Sequence, residues 1–501
     1  VVAVVGLARY DARLLHREKE NVVRLFELIL LVLLLVIVIQ RVFQVRRRVD
    51  ITNRWLVPAI AAGVCVLHLL AEGARWQMYP AYALLVILLV LAQRPATYSA
   101  AGKGKRLGLS GAYAGAVLVL AFSAFFAWAL PVPVLPGPSG PYPVGTATFH
   151  WIDESRQELY TDAPDDVREL MVQVWYPAAP IEGSSPAPWL QNAPTLAPAI
   201  AEELGMPGFL FSHFDLVQAH SHADAPVAAE GPFPAIVYSH GWTGFRAINT
   251  DQSEDLASHG YIVVAPDHSY GALGTIFPDG KLVLNNPDAL PSQERVGEEA
   301  YQVAIEQLVD TYAGDIRFVI DQMERMAAGE IPHPLGPQLD LSRLGVFGHS
   351  TGGGATVEAA ARDPRVKAAF GQDVWAKPVS EDVRSTPLKT PFVIFNSESW
   401  SDDENTAVLD RIYDQAKGAR YWMYIDDSAH ADFTLFAVVS PVAWLGGLKG
   451  PIDGERVLAI NQVYLRAFFN HFLKGESAPL LEGPSKEYPE VVWKDQEVGN
   501  S

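Results

Sequence analysis

The stretch Leu344-Gly345-Val346-Phe347-Gly348-His349-Ser350-Thr351-Gly352 decides the fold. Arg343–Phe347 reads as a short buried strand, and a helical pattern covers Gly352–Arg362. Between them stands Gly-x-Ser-x-Gly. In a strand–turn–helix setting this pattern presents a serine on a sharp turn at the carboxyl edge of a sheet, with glycines because the backbone is tight and neighbouring elements pass close by. In a chain with 39 glycines the five residues alone carry little information. Their setting supplies it.

Outward from that turn, Ala235–Ser239, Tyr261–Pro266, Val366–Phe370, Phe392–Phe395 and Tyr421–Ile425 read as further strands. Asp251–His259, Glu294–Ala328 and Gly454–Leu473 read as helices between or after them. Continuous apolar strands alternating with helices predict a mostly parallel sheet with helices on both faces. Upstream, Thr146–Trp151 and Glu169–Tyr176 form a strand pair, the second alternating Leu170, Val172, Val174 and Tyr176 on one face. Residues 178–232, rich in Pro, Ala and Ser, read as an insertion that covers part of a site. The catalytic domain then spans residues 146–475, and the tail 476–501 carries no readable function.

Charge divides the chain differently. The net charge of −19 argues against nucleic acid as a partner. Residues 1–130 nevertheless carry 15 Lys/Arg against 6 Asp/Glu, so the remainder holds 23 basic and 51 acidic residues. The basic front contains four apolar stretches, Val22–Gln40, Trp55–Ala71, Trp76–Ala92 and Leu109–Leu130. A spanning helix needs about 20 mostly apolar residues, with about 17 as the lower limit. Leu28–Ile39 has no polar face at all. Residues 1–130 are therefore expected to form a four-helix transmembrane domain in contact with the lipid bilayer. Lys and Arg concentrate in the first connection (Arg41, Arg46, Arg47, Arg48, Arg54) and the third (Arg94, Lys103, Lys105, Arg106). By the positive-inside rule these loops face the cytoplasm. That makes a multi-pass cell-membrane protein with its large domain on the extracytoplasmic side, the first helix acting as an uncleaved signal. The tail with Arg9, Arg13, Arg17 and Lys19 fits this topology only if the native start lies near Val22 or Val23. Glu27, His68 and Glu72 lie in or near the spans; anchoring is the expected role, with the two glutamates at helix ends reaching the interface. Six prolines between Pro131 and Pro143 make residues 131–145 a semi-rigid spacer.

A nucleophilic Ser350 needs a base, and the base needs an orienting carboxylate. After Ser350 the histidines are His430 and His471. His471 sits inside the closing helix, whereas His430, in Asp427-Ser428-Ala429-His430, follows the last strand, where a loop can bring it over the serine. Asp373 follows one strand and Asp402 and Asp403 follow the next, and spacing leaves the acid open among them; Asp432 is too close to His430 in sequence to orient it easily. An oxyanion site needs two backbone N–H groups. Thr351 supplies one, and Ser239-His240-Gly241-Trp242 supplies the other through Trp242, with Gly241 allowing close approach and His240 in a structural hydrogen-bonding role. His213, His220, His222 and Asp224 cluster within twelve residues, but not at helical spacing and without a cysteine. No metal and no cofactor is expected. A single cysteine, Cys65, excludes an intrachain disulfide framework.

Tyr238-Ser239-His240-Gly241 with Gly244-Phe245-Arg246, Gly348-His349-Ser350 with Gly352-Gly353, Phe395-Asn396-Ser397-Glu398, and His430 followed by Ala431-Asp432-Phe433-Thr434 together resemble the platelet-activating-factor acetylhydrolases, over about residues 140–475. The resemblance implies an α/β-hydrolase fold and metal-independent cleavage of short or oxidised acyl chains from phospholipids. It moves the acid to Asp373, because Asp373-Val374-Trp375 matches the family's Asp-x-Trp, and it places the oxyanion amides on Trp242 and Thr351. Two features depart from the pattern: Thr351 stands where phenylalanine is common, and the animal enzymes lack the four-helix anchor, so the chain looks like a membrane-anchored bacterial relative. Cutinase-like polyester hydrolases and dienelactone hydrolases share overlapping motifs. The alternatives are thus a general carboxylesterase or polyester hydrolase, and a membrane sensor whose hydrolase domain is non-catalytic.

Overall fold

Strands that are apolar on both sides can be buried only between two layers of helix, and the catalytic region is built on that rule. The computed structural model describes residues 24–47, 53–93, 103–181 and 183–494. They separate into two compact units: the residues up to Val134 with Gly205–Val217, and Leu135–Leu204 with the residues from Gln218 onward.

In the second unit the strands are β1 (Val144–Gln157), β2 (Val167–Pro177), β3 (His222–Ala223), β4 (Phe233–Ser239), β5 (Ile262–Pro266), β6 (Gly274–Ile276), β7 (Leu282–Leu284), β8 (Leu339–His349), β9 (Val366–Gln372), β10 (Phe392–Ser397), β11 (Arg420–Ile425) and β12 (Val491–Trp493). Ten of them make one sheet in the order β12-β11-β10-β9-β8-β4-β5-β2-β1-β3, and β6 and β7 form a separate hairpin. The six from β11 to β5 pair in parallel, while β2 and β12 close the two sides antiparallel. β4, β5 and β10 are buried at every residue. Along β8 the two faces separate cleanly. Leu344 and Val346 join the core that includes Leu308, Ile316 and Ala355 of the helices Glu298–Ala327 and Thr351–Arg362. Gly345 and Phe347 instead meet Phe469 of the helix Gly454–Lys474; a Cβ on Gly345 would lie 2.5 Å from that ring. This is the α/β-hydrolase architecture expected from the sequence. The long helix expected over 294–328 is broken at Gly297 (φ +83°), and the tail adds an edge strand, β12, that periodicity did not reveal.

The helix Thr250–Ser258 is polar in sequence yet buried throughout. Its side chains serve as caps for neighbouring backbone. Glu254 accepts N–H bonds from His220 and Ser221, Asp255 accepts from Ser139 and pairs with Arg466, and Ser258 holds the N–H of Gly140. The N–H groups of Ser139, Gly140 and Tyr142 are therefore satisfied on this helix, within the segment that the proline content predicts to be a semi-rigid spacer.

The first unit contains the helices Leu25–Arg47, Leu56–Ala71, Tyr79–Ala92 and Lys103–Ala129. Leu30, Leu34, Ala61, Met78, Leu84 and Leu88 pack inside, while Leu28, Val32, Ile39, Leu70, Val86 and Leu118 face outward and exposed. Leu25–Gln44 and Gly111–Ala129 are long and apolar enough to cross a membrane, by length and composition; Leu56–Ala71 and Trp76–Ala92 are shorter. Two helices of spanning length thus stand where four were expected. Glu27 and Glu72 do not reach outward as expected. Glu27 is 3% exposed and held by Arg24 and Arg75, because a carboxylate among apolar helices needs cationic partners. Glu72 accepts the N–H groups of Phe26 and Glu27 at the start of the first helix, and His68 bridges Glu72 to Tyr82. Of the expected insertion, Gly205–Val217 belongs to this unit: Leu210 O accepts from Trp76 Nε1 at 3.1 Å, and Phe209 packs edge-on against Trp76. The basic tail residues Arg9, Arg13, Arg17 and Lys19, the start near Val22 or Val23, and the loop residues Arg48 and Arg94 lie outside the described residues.

Asp251 gives the catalytic unit a pH dependence. Burial raises its carboxyl to about 7, against the weaker opposing bonds from Gln252 N–H and Gln462. A raised folded-state value means that stability is full at low pH and is lost as pH rises through 7. Asp251→Asn mimics the neutral acid. Its stability advantage over the parent is expected to grow by about 3 kcal/mol between pH 5 and pH 7.5, read as diverging midpoints of thermal inactivation. A gap that does not change with pH would contradict this.

Candidate active site

The β8 strand ends in a turn that only glycines permit. Ser350 has φ +57° and ψ −118°, a conformation sparsely populated for a side-chain-bearing residue, and stands at the cap position of the helix Thr351–Arg362. A Cβ on Gly348 would lie 2.2 Å from Gly352 O, and one on Gly352 would lie 2.1 Å from Ser239 O. Ser350 N–H donates to Gln372 O, and Ser350 O accepts from Trp375 and Gly354 N–H, so β9 and its following loop clamp the turn.

That loop begins with Asp373, at φ +43° and fully buried. Its N–H donates to Phe395 O at 2.9 Å. Its carboxylate accepts from Ser397 N–H at 2.6 Å and Ser397 Oγ–H at 2.7 Å, and Oδ2 lies 2.8 Å from Nδ1 of His430. The His430 side chain is 37% exposed, so the imidazole is anchored on one edge and reachable on the other. Trp400 stacks on it at 4.2 Å and 14°, and Trp400 N–H donates to Ser397 O. The His349 ring lies 4.4 Å away and its Nε2–H donates to His430 O at 3.0 Å. Burial and the neighbouring His430 hold the His349 imidazole well below its ordinary pKa, so it stays neutral. His349, adjacent to the turn serine, thus contacts the histidine loop directly. An imidazole whose Nδ1–H is fixed on a carboxylate presents Nε2 as a base.

The β4 end completes the neighbourhood. A Cβ on Gly241 would lie 3.0 Å from Ser350 Cβ, so this loop passes against the serine. Trp242 N–H donates to no protein acceptor among the described residues. Thr351 begins a helix, where the first N–H groups have no partner within the helix. Trp189, from the inserted segment, donates Nε1–H to Ala247 O and packs on Phe245, holding the same loop from outside.

The other sequence candidates lie elsewhere. Asp402 caps the helix Asp403–Gln415 by accepting from Asn405 N–H, and it faces Lys377. Asp432 accepts from Ala429 and Gly450 N–H, and burial raises its pKa. His471 bonds Glu476 O, His213 bonds Pro131 O and His220 bonds Leu135 O. Sequence reasoning gave no role to Ser397 or Trp400, although Ser397 is legible as the residue closing the strand beside β9. It also missed a second array: Ser239 Oγ lies 2.8 Å from His268 Nε2, and His268 Nδ1 lies 2.9 Å from Asp315 Oδ2. All three are completely buried. Burial alone would raise the Asp315 carboxyl, but the Arg168 and Arg156 guanidiniums outweigh it and hold the group well below the usual carboxylate range.

Comparison with known proteins places this geometry in context. The family described as platelet-activating factor acetylhydrolase, isoform II, matches residues 131–477. The platelet-activating factor acetylhydrolase of Cavia porcellus is 27% identical, over 68% of this chain and 78% of its own. A probable 1-alkyl-2-acetylglycerophosphocholine esterase of Arthroderma benhamiae is 24% identical, over 72% of this chain and 94% of its own. Among solved structures, a ferulic acid esterase from Streptomyces cinnamoneus superposes with a TM-score of 0.60 at 28% identity, covering 72% of this chain and 99% of that one.

The turn yields a prediction about packing. In Gly352→Ala the new methyl would meet the backbone oxygens of Ser239 and His240, at 2.1 and 2.5 Å, which cannot rotate away. The expected outcome is a loss of about 1–3 kcal/mol in stability, measured by the thermal inactivation midpoint, together with loss of ester hydrolysis. A near-parental midpoint and rate would contradict the observed approach.

Proposed function

The chain belongs to the platelet-activating factor acetylhydrolase isoform II family, and from that premise we propose a serine esterase acting through Ser350, His430 and Asp373 on short-acyl phospholipids. The ester-hydrolase class follows from its relatives. The finer reading is carried by one observation: His430 Nδ1 lies 2.8 Å from Asp373, a buried carboxylate that Ser397 holds by two further bonds. In this reading Ser350 Oγ attacks the ester carbonyl as His430 Nε2 takes its proton. The carbonyl electrons move onto oxygen, which the N–H groups of Trp242 and Thr351 receive. Collapse breaks the bond to the alcohol, and His430 returns the proton to it. Water, deprotonated by His430, then releases the acid and restores Ser350. Asp373 keeps the imidazole in the Nδ1–H tautomer and balances the imidazolium as it forms.

The same reading places the first unit in a bilayer. Its exposed Leu28, Val32, Ile39, Leu70, Val86 and Leu118 form an apolar exterior that water would penalise, and two helices have spanning length. Four spans with the catalytic unit on the extracytoplasmic side is the topology that the basic loops favour. A second reading, a general carboxylesterase, draws support from the likeness to a ferulic acid esterase.

Three substitutions and one substrate series test this. Ser350→Ala is expected to lower kcat/KM by at least about a thousandfold. Asp373→Asn is expected to cost on the order of ten-thousandfold in kcat, and Asp402→Asn less than about threefold, since Asp402 caps a helix. The reverse ranking of the two aspartates would refute the acid assignment. Serine-dependent turnover of phospholipids with short sn-2 acyl chains in preference to matched p-nitrophenyl esters supports the phospholipid reading; turnover of simple esters alone favours the second.

A further inference from the structure

Gly241 and Trp242 share one peptide unit. In a trans peptide the carbonyl of the first residue and the N–H of the second point in opposite directions. Whatever holds Gly241 O therefore sets the direction of Trp242 N–H, on a loop whose Gly241 passes against Ser350. Two donors hold that oxygen: Gly244 N–H at 3.0 Å, closing a tight turn, and the His240 ring at Nδ1, 2.7 Å away. The ring's other nitrogen, Nε2, accepts from His268 N–H at 3.0 Å, so the proton of His240 is on Nδ1, where the carbonyl needs it. Burial, reinforced by the neighbouring His268 ring, holds His240 well below its ordinary pKa and keeps it neutral.

We propose that His240 is a positioning residue that sets the aim of the oxyanion-binding N–H of Trp242 by bridging Gly241 O and His268 N–H. The proposal rests on the reading of Trp242 as an oxyanion donor. It also gives the buried Ser239–His268–Asp315 array a purpose. The array has the hydrogen-bond order of a catalytic triad but is sealed from substrate, each member fully buried. Asp315 is fixed by Arg168 and Arg156, and Tyr312 stacks on His268 at 3.7 Å. What the array provides is an immobile His268, and so a fixed N–H on which His240 seats. A Cβ on Gly244 would come within 3.0 Å of the His240 ring, so the turn is shaped around that imidazole.

Two near-isosteric replacements separate the two bonds of His240. In His240→Asn the amide nitrogen takes the place of Nδ1 and keeps the bond to Gly241 O. In His240→Gln the amide oxygen takes the place of Nε2 and keeps the bond from His268 N–H, but the carbonyl loses its donor. With full-length protein, His240→Asn is expected to keep kcat within about threefold. His240→Gln is expected to lose about tenfold in kcat with KM within twofold, less than the 100- to 1,000-fold of a lost donor because Gly244 still holds the oxygen. Trp242→Pro, which removes the N–H, is compared with Trp242→Ala, which keeps it, and in the Trp242→Pro background His240→Gln should cost less than twofold more. Equal losses in the Asn and Gln variants, or an undiminished tenfold loss in the Trp242→Pro background, would overturn the proposal. If Trp242→Pro costs no more than Trp242→Ala, the oxyanion reading itself fails; if it costs about a hundredfold more while His240→Gln is neutral, only the role of His240 fails.

Discussion

The approach of two backbones at the carboxyl edge of the sheet is the constraint on which the site depends. Gly352 lies where a Cβ would meet the carbonyl oxygen of Ser239 at 2.1 Å, and Gly241 lies against Ser350. The adjacent parallel strands β4 and β8 end side by side, so the loop leaving one and the helix leaving the other must share the same small space. At Gly352 only a residue without a side chain fits. The consequence is that Ser350, the start of the helix that follows it and the loop carrying Gly241 meet at one edge of the sheet through strand pairing.

The His430–Asp373 pair and the Ser239–His268–Asp315 array differ in access and in the groups around the carboxylate. Asp373 and Asp315 are both fully buried carboxylates facing the Nδ1 of a histidine. Asp315 is neutralised by two arginines, and its histidine spends Nε2 on Ser239 in a sealed core. Besides His430, the partners of the Asp373 carboxylate among the described residues are the Ser397 hydroxyl and amide, and its histidine reaches solvent. Asp373 is thus left facing His430, whereas Asp315 is already paired with arginine. Access and arginine pairing distinguish them; composition does not.

Much of this was legible in the sequence, for reasons that can be stated. The strands of the parallel sheet announce themselves because each is apolar on both sides, and the serine turn because its glycines are bracketed by strand and helix. That His430 rather than His471 would lie at the end of the sheet was legible, since His471 falls within the closing helix. Spacing left Asp373 and Asp402 equivalent, because both follow a strand of the sheet; the structure sets Asp373 against His430 and spends Asp402 on a helix cap. The polar helix Thr250–Ser258 hid its burial, because its partners are backbone N–H groups of distant segments, which leave no trace in composition. For the same reason residues 131–145 read only as a semi-rigid spacer. Glu27 and Glu72 were misjudged because the partners that bury them, Arg75 and the first turn of the preceding helix, lie more than forty residues away.

The central claim is that Ser350 is a nucleophile made reactive by His430. Its most direct test is covalent labelling with a serine-directed fluorophosphonate, followed by mass analysis of the proteolytic peptides. The account expects one adduct per chain, on the peptide carrying Ser350, formed far more slowly in His430→Ala. An adduct elsewhere, or labelling of Ser350 at the same rate without His430, would contradict it.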